Sequence, residues 1–352
     1  MIGQDPETFE FYPLLAWTWS IGDLMKMPDQ EMVEGTFLEY GDWQDPESEV
    51  VFVPNAFRRY FLKQDVAEIS EEGGKLRLKN ELPWQNGETY SGKIIEHQYV
   101  WEVNEAHDPE KQKNAVTAKM QDLDTWRDPA SFDKERPFVK RQCAFYFDMR
   151  PGIEWHDGKE LTVDDVVFSY NTVMNVNVEA QRYRNFFEDV TLFERIGDTQ
   201  TIHVQTAKPY FKQFEMLNGA LAILPRHIFN PEQYGGDEKA FGDAFNVHPF
   251  REKPVGVGPF KFAEWRRGEI VRLERNENYW RGKYPAGTFP NWEPKQPYMD
   301  EVQFIIIQEK VAALKEMQKG NIDIDDGVVA DVWFQESANT DEFKSKFVRV
   351  KR

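Results

Sequence analysis

The chain has 352 residues and carries 43 Lys and Arg against 61 Asp and Glu, a formal charge of −18. At roughly 150 residues per domain, that length accommodates two domains and a sizeable core. With 40% apolar and 30% charged residues, the composition is that of a folded globular chain, and its acidity argues against nucleic-acid backbones or anionic lipid as partners. A single cysteine, Cys143, excludes an internal disulfide and a Cys-based zinc site, and fits cytosol or periplasm alike. No run approaches the roughly 20 apolar residues of a spanning helix. The start, MIGQDPETFEF, has neither the basic end nor the apolar run of a signal peptide. Either the protein stays in the cytosol or a leader lies outside this chain.

The first 140 residues are punctuated by Pro and Gly, with β-like runs at Glu49–Val53, Lys75–Leu78 and Lys93–Val103. Residues 105–141 are polar and hold Pro109, Pro129 and Pro137, so they read as a surface excursion with one helix. From residue 142 the pattern sharpens. Ala144–Met149 is predicted as a strand, followed by turns at Pro151-Gly152 and His156-Asp157-Gly158. Thr162 and Asp165 have capping-box spacing, and Val163, Val166, Val167, Tyr170, Val173 and Met174 recur at helical spacing behind them. Thr201–Thr206 alternates as a strand. Lys261–Trp265 and Ile270–Arg275 flank a turn, which predicts a hairpin. Leu221–Leu224 is an apolar, strand-sized run, and Val302–Ile307 reads as a buried strand. A short helix from Val311 to Met317 should end at Gly320, with a further strand at Ile322–Ile324. Strands and helices interleave, which favours a mixed α/β fold with layered sheets.

Few residues suggest chemistry. His156-Asp157 sits in a tight turn where Asp and Gly have local backbone roles, so a structural reading outweighs a catalytic one. No Gly-x-Ser-x-Gly elbow is present, and Cys143 lies among strand formers as a core or edge thiol. Asp323–Gly327 resembles the start of a calcium loop, but the twelfth position falls on Phe334 rather than Glu. The histidines are scattered, so no metal or cofactor is assigned. Val255–Phe260 is glycine-rich without a following helix, and reads as a rigid lead into the hairpin rather than a phosphate loop. The segment Glu179–Phe187 combines Tyr183, Phe186 and Phe187 with Arg182 and Arg184, and supports two readings, a ligand groove lined by stacking and hydrogen-bonding groups or a loop packing its rings on the body. No catalytic residue is assigned. An acidic secreted hydrolase using paired carboxylates is the competing function, since 61 acids offer many pairs.

Phe147–Ser169 (FDMRPGIEWHDGKELTVDDVVFS) closely resembles the extracellular solute-binding proteins of peptide ABC transporters, the oligopeptide/dipeptide/nickel group known as family 5. Further blocks follow in order: Pro209-Tyr-Phe211, Ile223-Leu-Pro-Arg-His227, Pro254-Val-Gly-Val-Gly-Pro-Phe-Lys-Phe262, Leu273–Lys283 and Lys319–Ile324. Pro13-Leu-Leu-Ala-Trp-Thr-Trp19 is a weaker match to the N-terminal pattern. The resemblance implies an α/β, periplasmic-binding-protein-like (class II) bilobal fold with mixed sheets. It implies a discontinuous lobe of residues 1–20 and 196–325, and a family-specific domain of residues 21–195 with an insertion at about 25–140. Residues 326–352 would begin a third lobe that is largely missing, so the chain is expected to be a fragment. The Trp155 turn and the Trp280 stretch should share one module. The implied function is capture of a peptide or similar small solute between lobes and delivery to ABC permease subunits. The protein would be a periplasmic or extracellular monomer, held at the membrane through the permease or a lipid anchor, without cofactor and without nucleic acid. The resemblance places Arg182, Tyr183, Phe186 and Phe187 near the cleft.

Overall fold

The structure is a computed structural model that describes residues 2–4, 11–26, 32–39, 49–54, 58–62, 66–69, 76–78, 94–96, 100–104, 116–119, 143–207, 212–284 and 297–324. Strands β1 (Ile2–Gln4) and β2 (Phe11–Pro13) pair with each other. β3 (Ala16–Lys26), β4 (Met32–Glu39), β5 (Glu49–Pro54) and β6 (Arg58–Leu62) follow. β7 (Val66–Ile69) pairs with β8 (Leu76–Leu78). Next come β9 (Ile94–Glu96), β10 (Val100–Asn104), β11 (Val116–Lys119) and β12 (Cys143–Met149). Helices α1 (Val163–Met174) and α2 (Gln181–Arg184) lead to β13 (Val190–Arg195) and β14 (Thr201–Thr206). Helices α3 (Gln213–Gly219), α4 (Arg226–Phe229) and α5 (Glu238–Asn246) precede β15 (Phe260–Arg266), β16 (Ile270–Arg275), β17 (Glu301–Ile305) and α6 (Lys310–Gln318). The fold class is mixed α/β.

The chain divides into two units, Met1–Pro259 with Glu277–Tyr298, and Phe260–Asn276 with Met299–Arg352. In the first, ten strands form one sheet in the order β11-β5-β4-β3-β12-β14-β13, with β6 also on β3 and β10 and β9 beyond it. β3 organises this sheet. One edge pairs with β12, and the other pairs with β6 through Thr18–Ile21 and with β4 through Asp23–Lys26. The strand therefore crosses residue 20, and β13 pairs with β14 across residue 196.

Alternation along β12 decides what the sheet covers. Phe145, Phe147 and Met149 enter a buried cluster with Val163 and Val166 of α1, Phe193, Ile202, Val204, and Phe214 and Leu217 of α3. Ala144 and Tyr146 point the other way, and Tyr146 stacks on its cross-strand partner His203 at 4.5 Å. Trp19 of β3 joins the first cluster and stacks on Tyr60 of β6 at 3.7 Å. The helix stripe read from the sequence is the one that packs here. Its start is fixed as expected, with the Thr162 N–H donating to Asp165 Oδ2 at 2.8 Å. A second face of α1 is also covered, because Phe168 meets Phe229 and Phe241 at 5.8 Å each. Trp155 and Trp280 lie in the same buried cluster and the same unit.

In the second unit β15 and β16 form the expected hairpin, and β17 adds a third strand. Arg272 on β16 reaches Glu301 on β17 at 3.0 Å. The expectation of a buried strand at Val302–Ile307 needs correction, since Phe304, Ile305 and Ile306 are all exposed. Among the described residues β17 is an edge strand, with β16 on one side. α6 ends as predicted, with Gly320 at φ +81° and its N–H on the Met317 carbonyl at 2.9 Å. Ile322–Ile324 forms no strand, and Ile324 is exposed. Leu221–Leu224 is likewise an irregular connection. Lys93–Val103 is two antiparallel strands rather than one run, with Trp101 opposite Glu96. Within residues 105–141 the described element is a strand, β11, on β5. The helix expected there, the Pro209–Phe211 block and residues 326–352 lie outside the described residues.

Phe147 has no exposed surface and packs on Phe214 of α3, 6.1 Å between ring centres. Phe147→Ala should lower the unfolding free energy by about 3–5 kcal/mol, read from urea denaturation. A loss below about 1 kcal/mol would show that this cluster is not the core of the unit.

Candidate functional site

The blocks that stand apart in sequence meet in space, and polar side chains bound to backbone groups join them. Arg150, directly after β12, is 4% exposed. Its N–H donates to the Leu15 carbonyl at 2.7 Å and its Nε donates to the Leu14 carbonyl at 2.9 Å. Its Nη1 donates to the Tyr284 hydroxyl at 2.8 Å. The guanidinium also lies 5.7 Å from the Trp280 ring centre and 5.0 Å from that of Tyr284. One charged group thus links the Pro13–Ala16 stretch, the Arg150-Pro151-Gly152 turn and the Tyr279–Tyr284 stretch.

His156 joins a second pair of blocks. Its N–H donates to the Gly256 carbonyl at 2.8 Å, and the Gly256 N–H donates to ring Nδ1 at 3.2 Å. Nδ1 therefore accepts, which puts the ring proton on Nε2, and Nε2 donates to the Gly258 carbonyl at 3.0 Å. A Cβ at Gly256 would stand 3.3 Å from His156 Cε1, so glycine permits this close approach. Both ring nitrogens are committed to backbone, which suits a clamp and leaves no nitrogen for a catalytic base. The glycine-rich segment leads into β15 as the sequence suggested. Asp165 makes a third link, since its Oδ1 accepts the Arg226 N–H at 2.8 Å. One turn on, the Ser169 hydroxyl accepts the Leu224 N–H at 2.7 Å.

Asp157, at the tip of the turn, lies 2.7 Å from His227 Nε2. Burial would raise the Asp157 carboxyl, but the His227 hydrogen bond, the Lys159 N–H and the His227 charge outweigh it and hold it below its ordinary value. Cys143 is half-buried at the start of β12. Among the described residues no three His, Cys, Asp or Glu side chains converge on a metal-sized space.

The sequence singled out Arg182, Tyr183, Phe186 and Phe187, and these divide. Arg182, Tyr183 and Phe186 are exposed on α2 and the turn after it, whereas Phe187 is fully buried against Tyr170 at 5.8 Å. Phe187 is a core position. The residue that holds this segment is Arg184, which the sequence grouped with Arg182 as a candidate groove-lining cation. Its guanidinium donates to the carbonyls of Val173, Asn175 and Val178 at 3.0, 2.7 and 3.0 Å. It thereby satisfies the carbonyl end of α1, where a cation is favoured. A cavity of about 480 Å³ opens on the outer face of α1, bounded across by residues between Arg226 and Phe241. No motif announced it.

The Asp157 carboxyl has a lower pKa folded than unfolded. Its stabilising contribution is complete above the unfolded value, near pH 4, and is lost as pH falls through the lower folded value. The stability difference between wild type and Asp157→Asn, from urea denaturation, should be present near pH 5, at under about 1 kcal/mol, and shrink toward pH 2.5. A difference of equal size at both ends would contradict the pairing with His227.

A family model described as "Bacterial extracellular solute-binding proteins, family 5 Middle" matches residues 142–348. The oligopeptide-binding protein AppA of Bacillus subtilis is 34% identical over 182 residues, 51% of this chain and 29% of its own length. A probable ABC transporter-binding protein of Deinococcus radiodurans is 28% identical over 183 residues, 51% of this chain and 30% of its own. The chain thus spans under a third of the length of these relatives. The solved structure of the Bacillus subtilis protein with a nonapeptide covers 51% of this chain and 31% of that one, at 31% identity and a TM-score of 0.41. The match over residues 142–348 takes in more than half of the chain, which belongs to the bacterial extracellular solute-binding proteins, family 5.

Proposed function

We propose that this protein is the substrate-binding component of an ABC importer, which captures peptides or similar small solutes between two lobes and delivers them unaltered to a membrane permease. The family match over residues 142–348 carries this reading. Two features of the molecule support it. The polar side chains of the family-like blocks, Arg150, His156, Asp165 and Ser169, are bound to the backbone of neighbouring blocks, as a rigid scaffold requires. Arg182, Tyr183 and Phe186 form an exposed aromatic and cationic surface on a segment that Arg184 fixes in place. In this reading that surface faces the solute, and Phe187 supports it from below.

Capture needs no covalent chemistry, only a closed state that gains contacts the open state lacks. Backbone hydrogen bonds and ordered water tolerate many side-chain shapes, so such a receptor accepts a class of solutes. The protein works outside the cytoplasm as a monomer, and reaches the membrane through the permease or a lipid anchor. No helix among the described residues is long and apolar enough to cross a membrane.

Native mass spectrometry of the full-length protein as isolated, followed by release and identification of the bound solute, tests this function. One intact peptide or small solute per chain is expected, and a peptide mixture incubated with the protein should be recovered uncleaved. Cleavage products from peptide or glycan would overturn the reading in favour of a hydrolase.

A further inference from the structure

The outer stripe of α1 runs through positions 164, 167, 168, 171, 172 and 175, the spacing of one helix face, and forms a wall of the 480 Å³ cavity. That volume lies within the range of small-molecule sites, roughly 300–1,000 Å³. The cavity belongs wholly to the first unit. Three rings line it beside Val167 and Pro231: Phe168 meets Phe241 edge-on at 5.8 Å, and Tyr234 meets Phe241 edge-on at 5.7 Å.

The charges that line it are unequal. Asp164, Asp237 and Glu238 supply three carboxylates against the guanidinium of Arg226. Most of these groups are already committed. Arg226 pairs with Glu232, and Asp164 pairs with Arg195 at 3.3 Å. Asp237 Oδ1 accepts the N–H groups of Lys239 and Ala240, both at 3.0 Å, as the N-cap of α5. Lys239 turns to Asp243 at 2.6 Å. Glu238 differs, because its carboxylate has no partner among the described residues, and neither do the Asn171 amide and the Tyr234 hydroxyl. Three uncommitted polar groups therefore share one cavity with three aromatic rings.

We propose that this cavity binds an organic ammonium group carried on an apolar or aromatic body. The acidic lining repels an anion. One uncommitted carboxylate is too few oxygen ligands for a hard metal cation. A neutral apolar guest would gain nothing from the Glu238 carboxylate. An ammonium group offers Glu238 a charge-assisted hydrogen bond, gives Asn171 and Tyr234 a donor, and meets the ring faces as a cation. The positive end of α5 lies beside Glu238, and the Asp237 cap offsets it. The site rests on this unit's geometry alone and stands whether or not solute import holds.

Calorimetric titration of the full chain with phenethylamine, 2-phenylethanol and 3-phenylpropionate tests it. Phenethylamine should bind with a millimolar or lower Kd, and the alcohol and the acid at least about tenfold more weakly. Glu238→Gln changes an exposed side chain, and should abolish the preference for amine over alcohol without moving the thermal midpoint. Asn171→Ala should weaken the amine by about threefold or more. Absence of amine binding, equal binding of amine and alcohol, or a preference that survives both substitutions would overturn the proposal.

Discussion

A guanidinium out of water is costly unless its surroundings replace the hydration it loses. Arg150 pairs with groups far along the chain, the Leu14 carbonyl and the Tyr284 hydroxyl, and rests among the rings of Trp280 and Tyr284. The sequence separations are 136 and 134 residues. Because the group is almost wholly buried, its partners must all be in place together. It therefore acts as a check on assembly: β3, β12 and the Tyr279–Tyr284 stretch cannot drift separately without exposing an unpaired charge in the interior.

The other links repeat this logic with neutral or capping groups. His156 spans about 100 residues to the Gly256–Gly258 segment, and Asp165 and Ser169 hold the Leu224–Arg226 stretch on α1. Each pairs a side chain with backbone groups, so each fixes position as well as proximity. These residue types would suggest catalysis in a bare list, yet here they are spent on architecture. The surfaces we propose for recognition lie elsewhere, on the exposed Arg182, Tyr183 and Phe186 and in the cavity beside α1.

Features with a local cause were legible in the sequence. β12, the capped start of α1, the β15–β16 hairpin and the Gly320 stop all follow from period, capping and turn chemistry within a few residues. Features set by distant partners were not. Strand propensity named Val302–Ile307 but could not show that it would end at a sheet edge with Phe304 exposed. Propensity merged β9 and β10, whose separation rests on antiparallel pairing. Aromatic content drew Phe187 into the candidate surface, while its burial follows from packing on Tyr170. The cavity left one faint sign, the second stripe on α1 from Phe168 through Asn171 to Asn175, which the reading of the buried stripe left unassigned.

A thermodynamic cycle of Arg150→Lys and Tyr284→Phe, measured by urea denaturation, tests most directly whether the buried guanidinium holds the separated blocks together. Lysine keeps the charge but lacks the planar fork that serves two acceptors and lies on a ring. The account predicts that Arg150→Lys costs at least about 2 kcal/mol, and that Tyr284→Phe costs at least about 0.5 kcal/mol less in the lysine background than in wild type. Strictly additive effects, or a lysine variant as stable as wild type, would contradict it.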